Sequence, residues 1–353
     1  MLACALMIAQ VFVVCSFERP MAAARTRGCE FRLNRQRHLD PNEVRVLVAI
    51  ARRFYVDGAS KVELASEFGV SRFKVARLLD QARSEGVVNV TIEHPYGGDA
   101  VLASDVAEHL GVGEVYLATA SPDVVREREA LGATAAKYLT SSASRGDRIG
   151  FSWGRTLLPM VQHLGELPDV EIVQISGMVG NDPRLSPIEM FAQLSSNRRF
   201  TTKALFAPLF STTPSSAESA RHEPAVADIL GRLQELDFVF LSVGSWNPPI
   251  SQLIDHLSQD DIRELNNEGA VAEVAGMFFD DDGNYLDVPL NDRRISMSLQ
   301  ELRSARHVVA VAGQAGKTRA IRSVCASGVI DCLITTDEVA SMLLDTTPVP
   351  HRR

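Results

Sequence analysis

The chain has 353 residues, 46% hydrophobic and 23% charged, with a formal net charge of −8 at pH 7. That balance describes a globular protein with room for two or three domains around sizeable cores. The negative charge excludes a protein that coats nucleic acid by bulk electrostatics, so any affinity for DNA has to be local.

The first 38 residues depart from the rest. MLACALMIAQVFVVCSF is an apolar run near the length of a signal-peptide core, but no Lys or Arg precedes it, and it is too short to span a bilayer comfortably. AARTRGCEFRLNRQRH follows, basic and without helical or strand periodicity. This extension, residues 1–38, is expected to be disordered or to stem from a wrongly assigned upstream start codon, with Met21 or a later position as the real beginning. The rival reading is a membrane-tethering helix. Cys4, Cys15, Cys29, Cys325 and Cys332 show no metal-ligand spacing and are expected to be free thiols in a reducing cytosol, with no metal and no cofactor.

Residues 39–95 read as a DNA-binding helix-turn-helix with a wing. Asp40, Pro41 and Glu43 supply N-cap, first-turn proline and capping-box acid for a support helix in which Val44, Leu47, Val48, Ala51 and Tyr55 recur at helical spacing. Ser60 and Glu63 form a second capping box, and Val62, Leu64, Ala65 and Phe68 share a face of the next helix. Gly69 suits the left-handed turn, Val70 packs beneath it, and Ser71 caps a third helix buried through Val75, Leu78 and Leu79. Its exposed front carries Ser71, Arg72, Phe73, Lys74 and Arg77, placed where such a helix meets base edges and phosphates in a major groove. The bland alternative is a helical hairpin with a solvated basic face. VVNVTIEHP, residues 87–95, is expected to be the wing or exit strand, and Pro95 to Gly98 the linker.

From residue 99 to 346 helix and strand patterns alternate. Helices are expected over Asp99–Leu110 and from about Val124. Strands are expected at Glu114–Thr119, Arg148–Trp153, Glu171–Gly180, Lys203–Phe210, Phe238–Gly244, His307–Gly313 and Cys332–Asp337. Continuous apolar runs bounded by Gly and separated by helices imply a parallel sheet covered on both faces, an open α/β fold of the Rossmann-like kind.

Open sheets bind ligands at the carboxyl ends of their strands, and that rule selects the candidate residues. After Phe151 come Ser152, Trp153, Gly154, Arg155 and Thr156, a glycine-containing turn into a helix that offers N–H groups, hydroxyls and a guanidinium to an anion. A plain strand-to-helix turn is the alternative, since neither GxGxxG nor a Walker pattern is present. Strand FVFLSVG ends at Gly244 and Ser245. Lys317 opens a helix after a second glycine-bracketed turn, against the helix dipole, which favours an anionic ligand. Glu273 stands among small residues, where its carboxylate can accept hydroxyls from a polyol. Asp280–Asp282 read as a solvated turn rather than a calcium loop.

Several blocks carry a family likeness: VSRFKVARLLDQARSEGVVNVTI at 70–92, GFSWGRTL at 150–157, FLSVG at 240–244, GAVAEVAGMFFDDDG at 269–283 and VAVAGQAGKTRAIRSVCASGVIDCLITTDEVASMLL at 309–344. From Glu43 to Leu344 the chain resembles the SorC family of sugar-responsive transcriptional regulators. Their sugar-binding domain has a fold similar to ribose-5-phosphate isomerase and glucosamine-6-phosphate deaminase. The resemblance implies a cytoplasmic regulator that binds operator DNA as a homo-oligomer, commonly a tetramer. It also implies that DNA affinity changes when a sugar or sugar phosphate docks in the C-terminal domain. By the same resemblance the turn at Ser152–Thr156 holds phosphate or hydroxyls, and Glu273 and Lys317 line the pocket. Ala272 and Glu273 stand where the family usually has Gly and Asp, and Trp153 and Arg155 alter a turn that is often smaller. The competing class is a sugar-phosphate isomerase or deaminase carrying a DNA-binding domain, for which Glu273 and Lys317 supply carboxylate and electrophile but no further acid or base motif accompanies them.

Overall fold

The computed structural model describes residues 41–85, 87–88, 99–180, 187–196 and 200–350. The extension, the Asp40 cap, the linker at 95–98 and all of the expected wing strand except Val87 and Val88 lie outside those residues. The chain divides into two compact units between Ile92 and Glu93.

In the first unit, α1 (Pro41–Tyr55), α2 (Lys61–Glu67) and α3 (Arg72–Ser84) form a three-helix cluster. The Ser60 hydroxyl accepts from Glu63 N while the Glu63 carboxylate accepts from Ser60 N, so α2 starts on a reciprocal cap. Gly69 takes φ +63°, a conformation that costs other residues about 1–2 kcal/mol, and Ser71 then caps α3 through Lys74 N. Leu64, Val75 and Leu79 are buried with Ile50 in one cluster. The face of α1 is rotated from the expected one: Ile50 is fully buried, whereas Val48 is exposed. Val48 sits one residue after buried Leu47 and therefore points about 100° away from it. Val62 is likewise exposed.

The second unit opens with α4 (Ala100–Leu110), β1 (Glu114–Ala118), α5 (Val124–Ser142) and β2 (Arg148–Phe151). It continues through α6 (Leu157–His163), β3 (Glu171–Gln174), α7 (Pro187–Ser196), β4 (Thr201–Lys203), α8 (Pro214–His222) and α9 (Pro224–Arg232). Next come β5 (Phe238–Ser242), β6 (Gly244–Ser245), α10 (Gln259–Asn267), β7 (Ala272–Val274) and β8 (Met277–Phe279). The chain closes with α11 (Leu299–Ser304), β9 (His307–Val311), α12 (Thr318–Ala326), β10 (Cys332–Thr336) and α13 (Asp337–Leu344).

Seven strands pair in the order β1-β10-β9-β5-β2-β3-β4, every pair parallel. Alternate residues enter opposite cores. On β5, Phe238 and Phe240 pack on one face, Val239 and Leu241 on the other. On β9, Val309 and Val311 oppose Val308 and Ala310 in the same way. Burial on both faces explains why these strands read as unbroken apolar runs. The expected strand Lys203–Phe210 is shorter than its pattern. Only Thr201–Lys203 joins the sheet, and Pro208 and Phe210 make isolated bridges to Met178 and Arg294. Pro208 has no N–H to donate, so a regular ladder cannot continue through it. Likewise β3 ends at Gln174, well before Gly180.

From β2 the strand order runs outward through β3 and β4. The chain then returns to lay β5 on the other side of β2 and continues outward through β9 and β10. The reversal between β2 and β5 is a topological switch point, where open sheets form their ligand crevice.

Candidate functional site

A second, antiparallel sheet of β6, β7 and β8 builds one wall of that crevice. The sequence reading gave this region no strands. Ala275 and Gly276 join β7 to β8 with φ of +50° and +79°, a two-residue turn with both centres left-handed. Ala-Gly is a weaker hairpin signal than Asn-Gly, and strands of two or three residues leave little periodicity to read. The register sets Glu273 opposite Gly244. A Cβ on residue 244 would lie 2.8 Å from Glu273 Oε2 and 3.1 Å from Ser251 Cβ, so a side chain there would displace the carboxylate from its present position.

At the carboxyl ends of β2, β5 and β9, Trp153, Gly154, Arg155 and Thr156 line one cavity together with Gly244, Glu273 and Lys317. Two sequence candidates are not on its wall. Ser152 is buried and its hydroxyl accepts from Ser242 N at 3.1 Å, clipping the end of β2 to β5. Ser245 is also buried and donates to Pro248 O at 2.7 Å, which shapes the turn after β6. The helix after Thr156 is only seven residues long, and no side chain caps it. The positive charge in the cavity therefore comes from side chains rather than from that helix end.

Sequence reasoning missed Arg128 and Ser251, which share the cavity. Arg128 lies near the start of α5, after the carboxyl end of the edge strand β1, and the crevice rule alone did not single out an edge strand. Ser251 donates to Glu273 Oε2 at 3.2 Å. Lys317 donates through Nζ to Val243 O at 2.8 Å, so a lysine at a helix start is anchored to the end of β5. Gly154 approaches β5 so closely that a Cβ there would meet Ser242 Oγ at 2.3 Å.

Electrostatics in this cavity are strongly perturbed. Burial pushes the Glu273 carboxyl up to about 7, although the Ser251 hydrogen bond and the Lys317 charge pull it down. Burial lowers Lys317 to about 8, helped by the charges of Arg128 and Arg155 and opposed by those of Glu273 and Glu127. Burial, and then the charge of Arg155, brings Arg128 below its ordinary value. Three cations thus face one carboxylate that holds its proton near neutrality.

A raised carboxyl means that the folded chain binds a proton the unfolded chain has released. Stability from Glu273 is therefore full below an ordinary carboxyl pKa and falls as pH rises through about 7. Lys317 acts on the other side: its buried charge costs stability below about 8, and the cost is relieved as pH rises above that value. Glu273→Gln, which keeps the shape without the charge, is expected to stabilise the chain by about 2 kcal/mol at about pH 8 and by little at about pH 5. Urea denaturation at the two pH values measures the difference. An equal effect at both would contradict the raised carboxyl.

Elsewhere, the acidic run is a turn in which the Asp280 carboxylate accepts from Asp282 N and Asn284 N, while Asp281 pairs with Arg319 at 2.7 Å. Cys325 and Cys332 are buried free thiols, Cys325 pushed up to about 12 by burial. The other three cysteines lie outside the described residues. Among the described residues no helix is long and apolar enough to cross a membrane.

In the first unit Ser71, Arg72, Phe73, Lys74 and Arg77 are all exposed at the front of α3. Phe73 is 77% exposed, with the Arg72 guanidinium 5.8 Å from its ring centre. Arg83, in the last turn of α3, packs on Tyr55 and donates to its hydroxyl at 2.8 Å.

An open parallel sheet with a cation-lined, carboxylate-bearing cavity at its switch point defines a small-molecule-binding α/β domain. Residues 94–345 match the family model of the sugar-binding domain, and the chain belongs to that family. It is 24% identical over 319 residues to the deoxyribonucleoside regulator of Bacillus subtilis, covering 87% of this chain and 99% of that protein. To the sorbitol operon regulator of Klebsiella pneumoniae it is 23% identical over 314 residues, covering 86% and 98%. The crystal structure of the full-length sorbitol operon regulator SorC from Klebsiella pneumoniae superposes with a TM-score of 0.65 at 22% identity, over 86% of this chain and 99% of that one.

Proposed function

We infer that the protein is a transcriptional regulator in which residues 39–95 bind operator DNA as a winged helix-turn-helix and residues 99–346 bind a sugar or sugar phosphate. The observation that carries this reading is the convergence of Arg128, Arg155 and Lys317 with buried Glu273 in one cavity of a sugar-binding-family domain. The cations suit a phosphate, and Glu273 and Ser251 suit hydroxyls. Relatives matched over 98–99% of their length are named sorbitol operon regulator and deoxyribonucleoside regulator, which supports control of carbohydrate uptake or catabolism genes here. The protein works in the cytoplasm as a homo-oligomer, a tetramer by the family resemblance, and is not an enzyme.

A panel of ribose 5-phosphate, glucose 6-phosphate and glucosamine 6-phosphate, each beside its unphosphorylated sugar, tests the effector assignment by thermal shift. A true effector at about a hundred times its dissociation constant adds roughly 2.7 kcal/mol of stability. Turnover of ribose 5-phosphate or glucosamine 6-phosphate by the purified chain would instead establish an enzyme.

A further inference from the structure

Next to the cavity of Glu273 and Lys317 lies another of about 250 Å³, and Arg128, Trp153, Gly154 and Arg155 form the wall that both share. Its far side has different chemistry. Val125 comes from α5, Leu158 and Pro159 from α6, and Met190 from α7. Two polar residues also line this side, Gln162 and Glu129, and the Glu129 carboxylate is held 3.0 Å from His163 Nε2. Val125 is 63% exposed, an uncovered apolar side chain at the rim.

The shared wall carries the charge. Arg128 makes no hydrogen bond or ion pair among the described residues, and both the like charge of Arg155 and the opposite charge of Glu127 act on it. Among the described residues Arg155 makes one long hydrogen bond, to Ile250 O at 3.4 Å. Two under-partnered guanidiniums at the boundary of two compartments select an anion at that boundary. One compartment then offers hydroxyl partners and the other an apolar surface. The polar cavity is only about 30 Å³ and its neighbour about 250 Å³, and together they approach the roughly 300 Å³ at which ligand sites commonly start, so the two act as compartments of one site.

We propose that the effector is an organic phosphate with two unlike ends: its anion lies between Arg128 and Arg155, its hydroxyls face Glu273 and Ser251, and an apolar ring or short alkyl substituent fills the second cavity. This rests on the reading of the first cavity as the effector site. A bare sugar phosphate leaves Val125 and Leu158 against water. A substituted one removes them from it, and that area discriminates between effectors that share a phosphate.

Calorimetric titration of the full chain with inorganic phosphate and with phenyl phosphate, at about pH 8 where both are mainly dianions, separates the terms. Phenyl phosphate is expected to bind at least tenfold tighter, the factor that goes with roughly 60 Å² of apolar surface leaving water. Val125→Ser and Leu158→Ser should each remove most of that preference and leave inorganic phosphate unchanged, while Arg155→Ala weakens both anions. Equal affinity of the two anions for the parent protein, or a preference that survives both serine variants, overturns the proposal and leaves the anion site standing. If neither anion binds the parent protein, the anion-site reading and this proposal fall together.

Discussion

Lys317→Met is expected to leave DNA affinity without effector within about twofold of the parent and to abolish the change in that affinity on adding a sugar phosphate. The ammonium lies at the carboxyl end of β5, hydrogen-bonded to Val243 O, with Glu273 in the same cavity. It is one of three cations that line the proposed effector cavity, and in the intact chain it belongs to the second compact unit, whereas the front of α3 belongs to the first. Coupling between sites of this kind amounts to about 1–3 kcal/mol, or roughly 5- to 150-fold in affinity. Methionine retains the volume of the stem, and Glu273, deprived of its neighbouring cation, takes a proton more readily still. A variant that folds, binds DNA and answers the same sugar phosphate at the same concentration would show that Lys317 is not a ligand contact.

The second large effect is expected in the proposed DNA-binding head. Arg72→Ala combined with Lys74→Ala is expected to weaken binding to DNA selected by the protein from a random pool by tenfold or more, since each base contact contributes about 1–3 kcal/mol. Both side chains are exposed in the first turn of α3, the part of such a helix that enters the groove. A cation that touches phosphate rather than a base weakens all sequences alike and lowers the salt slope by about one. Fluorescence anisotropy at several salt concentrations distinguishes the two roles. Unchanged affinity in the double variant would leave α3 as an ordinary solvated helix.

The elements that carry these two proposed sites were legible in the sequence to different degrees. The head is local: a capping box, a left-handed glycine and an N-cap serine fall within about a dozen residues, and each imposes its own backbone geometry. The parallel strands were legible because burial on both faces leaves unbroken apolar runs. The cavity is a product of long-range pairing. Glu273 faces Gly244 only through a short antiparallel sheet, and Arg128 joins it from a helix well over a hundred residues away in the chain. Ser152 and Ser245 show the converse. They sit at the right strand ends, but their hydroxyls are committed to Ser242 N and Pro248 O, a detail that spacing along the chain does not carry.

Titration of DNA-bound protein with each sugar phosphate that raises its melting temperature tests the central claim most directly, because it requires both units of the same chain to respond to one molecule. The prediction is that at least one such compound shifts DNA affinity by roughly 5- to 150-fold, in the same concentration range in which it stabilises the fold. DNA affinity that stays constant while the sugar phosphate saturates its cavity would contradict the account, since a ligand bound equally by both states shifts nothing.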